Sequence, residues 1–165
     1  MIIGIDNGLD GGIVVMDKSR RIDTIATIPT IKLTKGRRVD GLLLYSFLAT
    51  QNKDFTVYLE KPVGSKSVLA AKSMEATYRV IECVCELLNM KVIGVTARSW
   101  QKVLLDKGDT KEMATKAFVE IFPNDVDRFK ITSLGNKSKN LHDGLVDAAL
   151  IAYKIHKYGQ CTNQK

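Results

Sequence analysis

The stretch Ile2-Ile3-Gly4-Ile5-Asp6-Asn7-Gly8-Leu9-Asp10-Gly11-Gly12-Ile13-Val14-Val15-Met16-Asp17 sets two apolar runs on either side of a segment rich in glycine, aspartate and asparagine. Short β-prone runs bounded by such residues read as strands joined by a tight turn. A third β-like run at 22–28 follows Ser19-Arg20-Arg21, so the chain is expected to open as a meander of three strands. Further along, 41–50 is leucine-rich and helical in pattern, and 56–59 is strand-like. Glu60-Lys61-Pro62 closes that strand, because proline lacks a ladder donor and restricts the residue before it. The acid therefore stands at a strand end.

Residues 68–90 carry Met74, Tyr78, Ile81, Cys85 and Leu88 on one helical stripe, with Val80, Val84 and Leu87 beside it, which predicts a long helix with two packing partners. A strand at 91–95 follows, then a short helix capped by Thr96 and ending near Leu105. Asp109 with Glu112 has the spacing of a capping box for a helix ending near Pro123, and a last helix is expected over 140–157. The segment from Pro29 to Arg38 reads as a polar, basic connection. Three early strands, then alternating helices and strands, describe an α/β fold with a mixed sheet covered on both faces. One domain over 1–158 and a polar tail over 159–165 account for the chain of 165 residues, which is short for two cores.

Composition narrows the function class. Lys and Arg number 25 against 18 Asp and Glu, a formal charge of +7 that favours a polyanionic partner. A hydrophobic share of 45% excludes global disorder, and no apolar run approaches spanning length, so no membrane crossing is expected. The amino terminus lacks the basic-then-apolar pattern of a secretory leader, which points to a cytoplasmic setting. Cys83, Cys85 and Cys161 form neither a disulfide framework nor a zinc motif.

Against that basic background the acids are placed selectively. Asp6 and Glu60 end two strands, while Asp143 and Asp147, four residues apart, share one face of the last helix. Each alone has an ordinary reading as a strand terminus, an exposed acid or a first-turn helix charge. Asp147, however, lies among Val146, Ala148 and Ala149, in a helix otherwise built for burial, where an unpaired charge is costly. Four such carboxylates can hold a pair of Mg2+ ions, or Mn2+, whose chemistry activates water and stabilises the oxygen leaving a phosphodiester.

Ile3-Gly4-Ile5-Asp6-Asn7-Gly8, Val57-Tyr58-Leu59-Glu60-Lys61-Pro62 and His142-Asp143-Gly144-Leu145-Val146-Asp147-Ala148-Ala149, in that order and at those intervals, resemble the RuvC-type Holliday junction resolvases of the RNase H-like superfamily, in particular their diverged phage, poxviral and mitochondrial branch. The resemblance spans nearly the whole chain. It implies an RNase H-like fold with a mixed five-stranded sheet flanked by helices, and it places metal ligands at Asp6, Glu60 and Asp147, with Asp143 as the fourth acid. Two departures stand out: Asn7 occupies a position where proline is frequent, and Gly144 lies three residues before Asp147, where bacterial members commonly carry an acid. His142 is expected as a cap or phosphate neighbour, with a ligand or acid role as the alternative, and Asp10 as a turn residue bonded to its own backbone.

The activity so implied is metal-dependent endonucleolytic resolution of four-way DNA junctions by paired symmetric cuts that leave 5′-phosphate and 3′-hydroxyl ends. Lys32, Lys35, Arg37 and Arg38 form one acid-free cluster, and Arg128, Lys130, Lys137 and Lys139 another ahead of the acidic helix; both are expected to face DNA, or else to be plain solvated surface. Ser65 and Lys66 follow Glu60 in a loop within reach of a phosphate, and Lys111, with Thr110, resembles the family lysine that neutralises the scissile phosphate or only steadies a turn. Tyr58, Tyr78 and Phe47 read as core, while Trp100 has an amphipathic setting open to base contact. The family also implies a two-fold homodimer through a helix comparable to 68–90. Alternatives from the residues are another RNase H-like nuclease acting on branched DNA, flaps or RNA-DNA hybrids, a noncatalytic junction-binding protein, and an actin-like phosphate-loop fold, for which one domain is too few.

Overall fold

The amino-terminal alternation folds as expected. In the computed structural model, which describes residues 1–51, 54–62, 67–105 and 110–159, strands β1 (Ile2–Ile5), β2 (Gly12–Met16) and β3 (Ile22–Thr27) form an antiparallel meander. Two three-residue strands, β4 (Thr30–Lys32) and β5 (Arg37–Val39), then pair as a separate hairpin, followed by helix α1 (Gly41–Ala49). Strand β6 (Thr56–Glu60), helix α2 (Val68–Leu87), strand β7 (Lys91–Val95), helices α3 (Ala97–Leu104) and α4 (Thr110–Ile121), a 3-10 turn (Val126–Phe129) and helix α5 (Asp143–Tyr158) complete the order. The main sheet runs β3-β2-β1-β6-β7, with β6 parallel to both β1 and β7, so it is mixed and five-stranded.

Strand periodicity divides the core into two layers. Ile3, Ile5, Ile13, Val15, Val57 and Leu59 point to the face covered by α1 and α2, where Leu44, Leu48, Ile81 and Cys85 close over them. Val14, Met16 and Tyr58 point to the other face, beneath α5 and its neighbours, with Trp100, Phe118, Phe129 and Leu150. Leu145, Leu150 and Ile151 of α5 are fully buried. Each such side chain contributes roughly 1.5–3 kcal/mol. Where α5 crosses β1 the strand presents Gly4, because a Cβ there would run into the carbonyl oxygen of Ala148 and the side chain of Ala152. That close approach brings the start of α5 to the carboxyl ends of the strands.

Several boundaries differ from the expectations for physical reasons. The connection over 29–38 is partly a hairpin; its strands are three residues long and filled with Thr, Lys and Arg, which hides any period of two. α2 stops at Leu87 because Asn89 turns into the left-handed region at φ 55. Its second stripe is largely absorbed within the chain: Val84 is buried and Val80 packs on the same core beside α1, whereas Leu87 is 68% exposed. α5 begins at Asp143 rather than near Asn140, since the His142 side chain takes the cap position. Thr96 occupies the cap position of α3 without a side-chain cap bond. Asp109 of the expected capping box, Cys161 and all but Gly159 of the expected tail lie outside the described residues. Among the described residues no helix is long and apolar enough to cross a membrane.

Candidate active site

The parallel register sets Ile5 beside Leu59, so the next residues, Asp6 and Glu60, leave adjacent strand ends together. By alternation both fall on the face of Gly4 and Tyr58, the face that α5 covers. The amino-terminal turns of α5 pack against the turn between β1 and β2, where Gly11 and Gly144 form an isolated parallel bridge. One turn further, Asp147 comes within electrostatic reach of Asp6 and Glu60. Asp6, Glu60 and Asp147 are partly buried, and Asp143 is exposed at the rim.

The electrostatics follow from that packing. Burial first, then repulsion from Glu60, Asp147 and Asp143, holds the Asp6 carboxyl well above its ordinary range. Asp147 is pushed up to about 7 by burial and then by Glu60 and Asp143. Burial also raises Glu60, although a hydrogen bond from Trp100 works in the opposite direction. None of these three acids has an ion-pair partner among the described residues. Asp143 differs, because Lys111 Nζ lies 2.6 Å from its Oδ2 at the mouth of a cleft of about 270 Å3 between α4 and α5. The site thus brings together three hard oxygen donors that no cation among the described residues compensates, a donor type that suits a divalent cation of the Mg2+ or Mn2+ type. Among the described residues no three acidic, histidine or cysteine side chains stand close enough together to hold a metal ion as they are.

Gly144 explains the spacing of the helical acids. A Cβ there would stand 2.6 Å from Gly11 Cα and 2.8 Å from Asp6 Oδ2, so no side chain fits between α5 and the strand end. Asp143, one residue earlier, reaches the rim instead. His142 caps α5: its Nδ1 accepts the Leu145 N–H at 3.3 Å, and burial lowers its pKa against the pull of Asp10 and Asp143. A neutral capping imidazole is the role this geometry supports.

Two features were not legible from the pattern of residues. Trp100 is 1% exposed, not open to bases, and its Nε1–H donates to Glu60 Oε2 at 3.0 Å. The signal available was register: Glu60 pairs with Val95 at the end of β7, and α3 begins two residues later. Asp10 does not bond its own turn. Its carboxylate pairs with Arg37 and accepts from Ser133 Oγ at 2.5 Å, which tethers the hairpin and the loop before α5 to the turn between β1 and β2; Arg37 and then Ser133 hold its carboxyl below the usual range. Ser133 had no sequence signal.

The basic residues separate into distinct settings. Lys32, Lys35 and Arg38 are exposed on the hairpin, and Lys137 and Lys139 are exposed on the loop leading to α5. Arg37 pairs with Asp10. Arg128 Nη1 donates to Ile22 O and Asp125 Oδ1, and its Nη2 donates to Asp23 O, so its guanidinium fastens the 3-10 turn to β3. Lys130 pairs with Asp127. Ser65 and Lys66 lie outside the described residues. Tyr58 and Tyr78 are buried, and Phe47 packs on the core.

No model of a known protein family matches the chain, and no curated protein sequence does. Solved structures do match. RuvC of T. thermophilus in complex with a Holliday junction substrate shares 14% identity over 96% of both chains, at a TM-score of 0.61. A Thermus thermophilus RuvC structure shares 12% identity over 93% of both chains, at 0.52. At such identities the likeness is one of fold: this chain has a RuvC-like α/β fold, a mixed five-stranded sheet flanked by helices.

Proposed function

We propose that this chain is a divalent-metal-dependent, structure-selective DNA endonuclease that resolves four-way junctions by paired symmetric hydrolysis. The observation that carries this reading is the convergence of Asp6, Glu60 and Asp147, raised in pKa and without a counter-cation among the described residues, at the strand ends of a RuvC-like fold. The matched RuvC is bound to a Holliday junction, which supports the same substrate class here.

Asp6, Glu60 and Asp147 would hold the cations, and Asp143 would join them once released by Lys111. Mg2+ or Mn2+ held there would supply the Lewis acidity that activates water and offsets charge on the leaving 3′ oxygen. On leaving Asp143, the Lys111 ammonium would pair with the scissile phosphate. That exchange is inexpensive, since an exposed ion pair is worth about 0–1 kcal/mol. Lys32, Lys35 and Arg38 on the hairpin, with Lys137 and Lys139 on the other flank, would hold the duplex arms by their phosphates. Paired cuts require a second centre, hence a homodimer; Val68 and Leu69, 70% and 80% exposed at the start of α2, are apolar surface available for it.

The test is product mapping on end-labelled four-way junctions, flaps, linear duplexes and RNA-DNA hybrids, with Mg2+ or Mn2+. Symmetric nicks across the junction with ligatable 5′ phosphates are expected. Cleavage confined to hybrids or flaps would assign another RNase H-like activity, and tight junction binding without cleavage in either metal would leave a binding protein.

A further inference from the structure

Glu60 is held by a group that brings no charge. The Trp100 indole N–H reaches its Oε2 at 3.0 Å from inside the core, where the ring is 1% exposed among the residues beneath α5. A buried indole N–H requires an acceptor, and a partly buried carboxylate gains by having one oxygen fixed. A lysine or arginine in that place would also fix the carboxylate, but it would neutralise the charge that attracts a cation. Indole orients without competing. Its ring is locked by packing and by the register that sets Val95 beside Glu60, so the bond direction is built into the sheet edge.

We propose that Trp100 is a positioning residue for Glu60, fixing Oε2 so that Oε1 is presented to a divalent cation shared with Asp6 and Asp147. This rests on the metal-dependent reading above. Outer partners of this kind typically change metal affinity by about 10–100-fold.

Trp100 is the only tryptophan in the chain, so tryptophan emission reports on the surroundings of this one ring. Mn2+ binding to the full chain can be counted by electron paramagnetic resonance of the free ion while that emission is followed in the same titration. The unaltered protein should bind Mn2+ with saturable quenching in step with occupancy. Trp100→Phe removes the donor, and replacement of Trp100 by benzothienylalanine removes it while keeping the ring's shape. Both should bind Mn2+ at least about tenfold more weakly. The isosteric replacement should do so with an unchanged melting temperature in the absence of metal. If the isostere binds Mn2+ as tightly as the unaltered protein, Trp100 only packs and the positioning role is overturned while the metal reading stands. If the unaltered protein binds no Mn2+, the metal reading fails and the positioning role falls with it.

Discussion

Burial raises the carboxyls of Asp6, Glu60 and Asp147, and repulsion between acids adds to it at Asp6 and Asp147, so the folded chain binds protons there more tightly than the unfolded chain does. The sign of the linkage follows. For Asp147 the contribution to stability is full below its unfolded value near 3.8 and is lost as pH rises through about 7. The metal-free protein should therefore melt at a higher temperature at pH 5 than at pH 8, so far as these acids govern it. Asp147→Asn should raise the melting temperature at pH 8 by roughly 2–4 °C, the shift expected for about 1 kcal/mol in a chain of this size, while abolishing cleavage. Differential scanning calorimetry at the two pH values checks both, and a lower melting temperature for the variant at pH 8 would contradict the electrostatic account. Mg2+ added at pH 8 should stabilise the unaltered protein and leave the variant nearly unmoved. Of these residues Asp6, Glu60 and Asp147 stood out in the sequence because strand ends and a buried helix make a charge conspicuous. Trp100 and Ser133 did not, since their partners lie 40 and 123 residues away in the chain, a pairing that only the register and the loop path reveal.

At the scale of elements, the contact between α5 and the strand ends depends on glycine. Gly144→Ala should destabilise by about 1–3 kcal/mol through overpacking against Gly11 and Asp6 Oδ2, measured by urea denaturation, and should weaken metal binding by displacing the Asp6 carboxylate. An unchanged midpoint would mean that α5 sits further from the sheet. The hairpin of β4 and β5 makes a separate prediction. Lys35→Glu and Arg38→Glu should weaken junction binding and flatten its salt dependence, by about 0.9 in the slope of log K on log salt for each phosphate contact removed. Arg128→Ala should leave that slope unchanged and cost about 1–2 kcal/mol of stability instead, because its donors hold backbone carbonyls of Ile22 and Asp23. The sheet strands were readable because their apolar runs are long enough to show a period. The hairpin was not, and basic residues that looked alike in sequence differ according to whether an acceptor of the chain lies within reach.

For the molecule as a whole, a charge of +7 is carried together with an acidic cluster at the strand ends, and under the proposed function the basic surface would attract the DNA while the cluster acts on its phosphate. One chain supplies one such centre, so sedimentation should give a particle near twice 18.3 kDa at working concentration, and a strict monomer would contradict paired incision. The RuvC-like fold was legible from three short segments in order, Asp6 with its strand, Glu60 with its strand and Asp147 with its helix, because the sheet topology carries those segments to one edge. The second stripe on α2 was a poor guide to a partner surface, since most of it packs within the chain. The central claim, that these three carboxylates form a phosphodiester-cleaving metal centre, is tested most directly by the cleavage rate of a labelled four-way junction in Mg2+ with Asp6→Asn, Glu60→Gln and Asp147→Asn. Each variant should bind the junction as tightly as the unaltered protein and cut it at least about a hundredfold more slowly; cutting at the unaltered rate by any of the three would contradict the assignment.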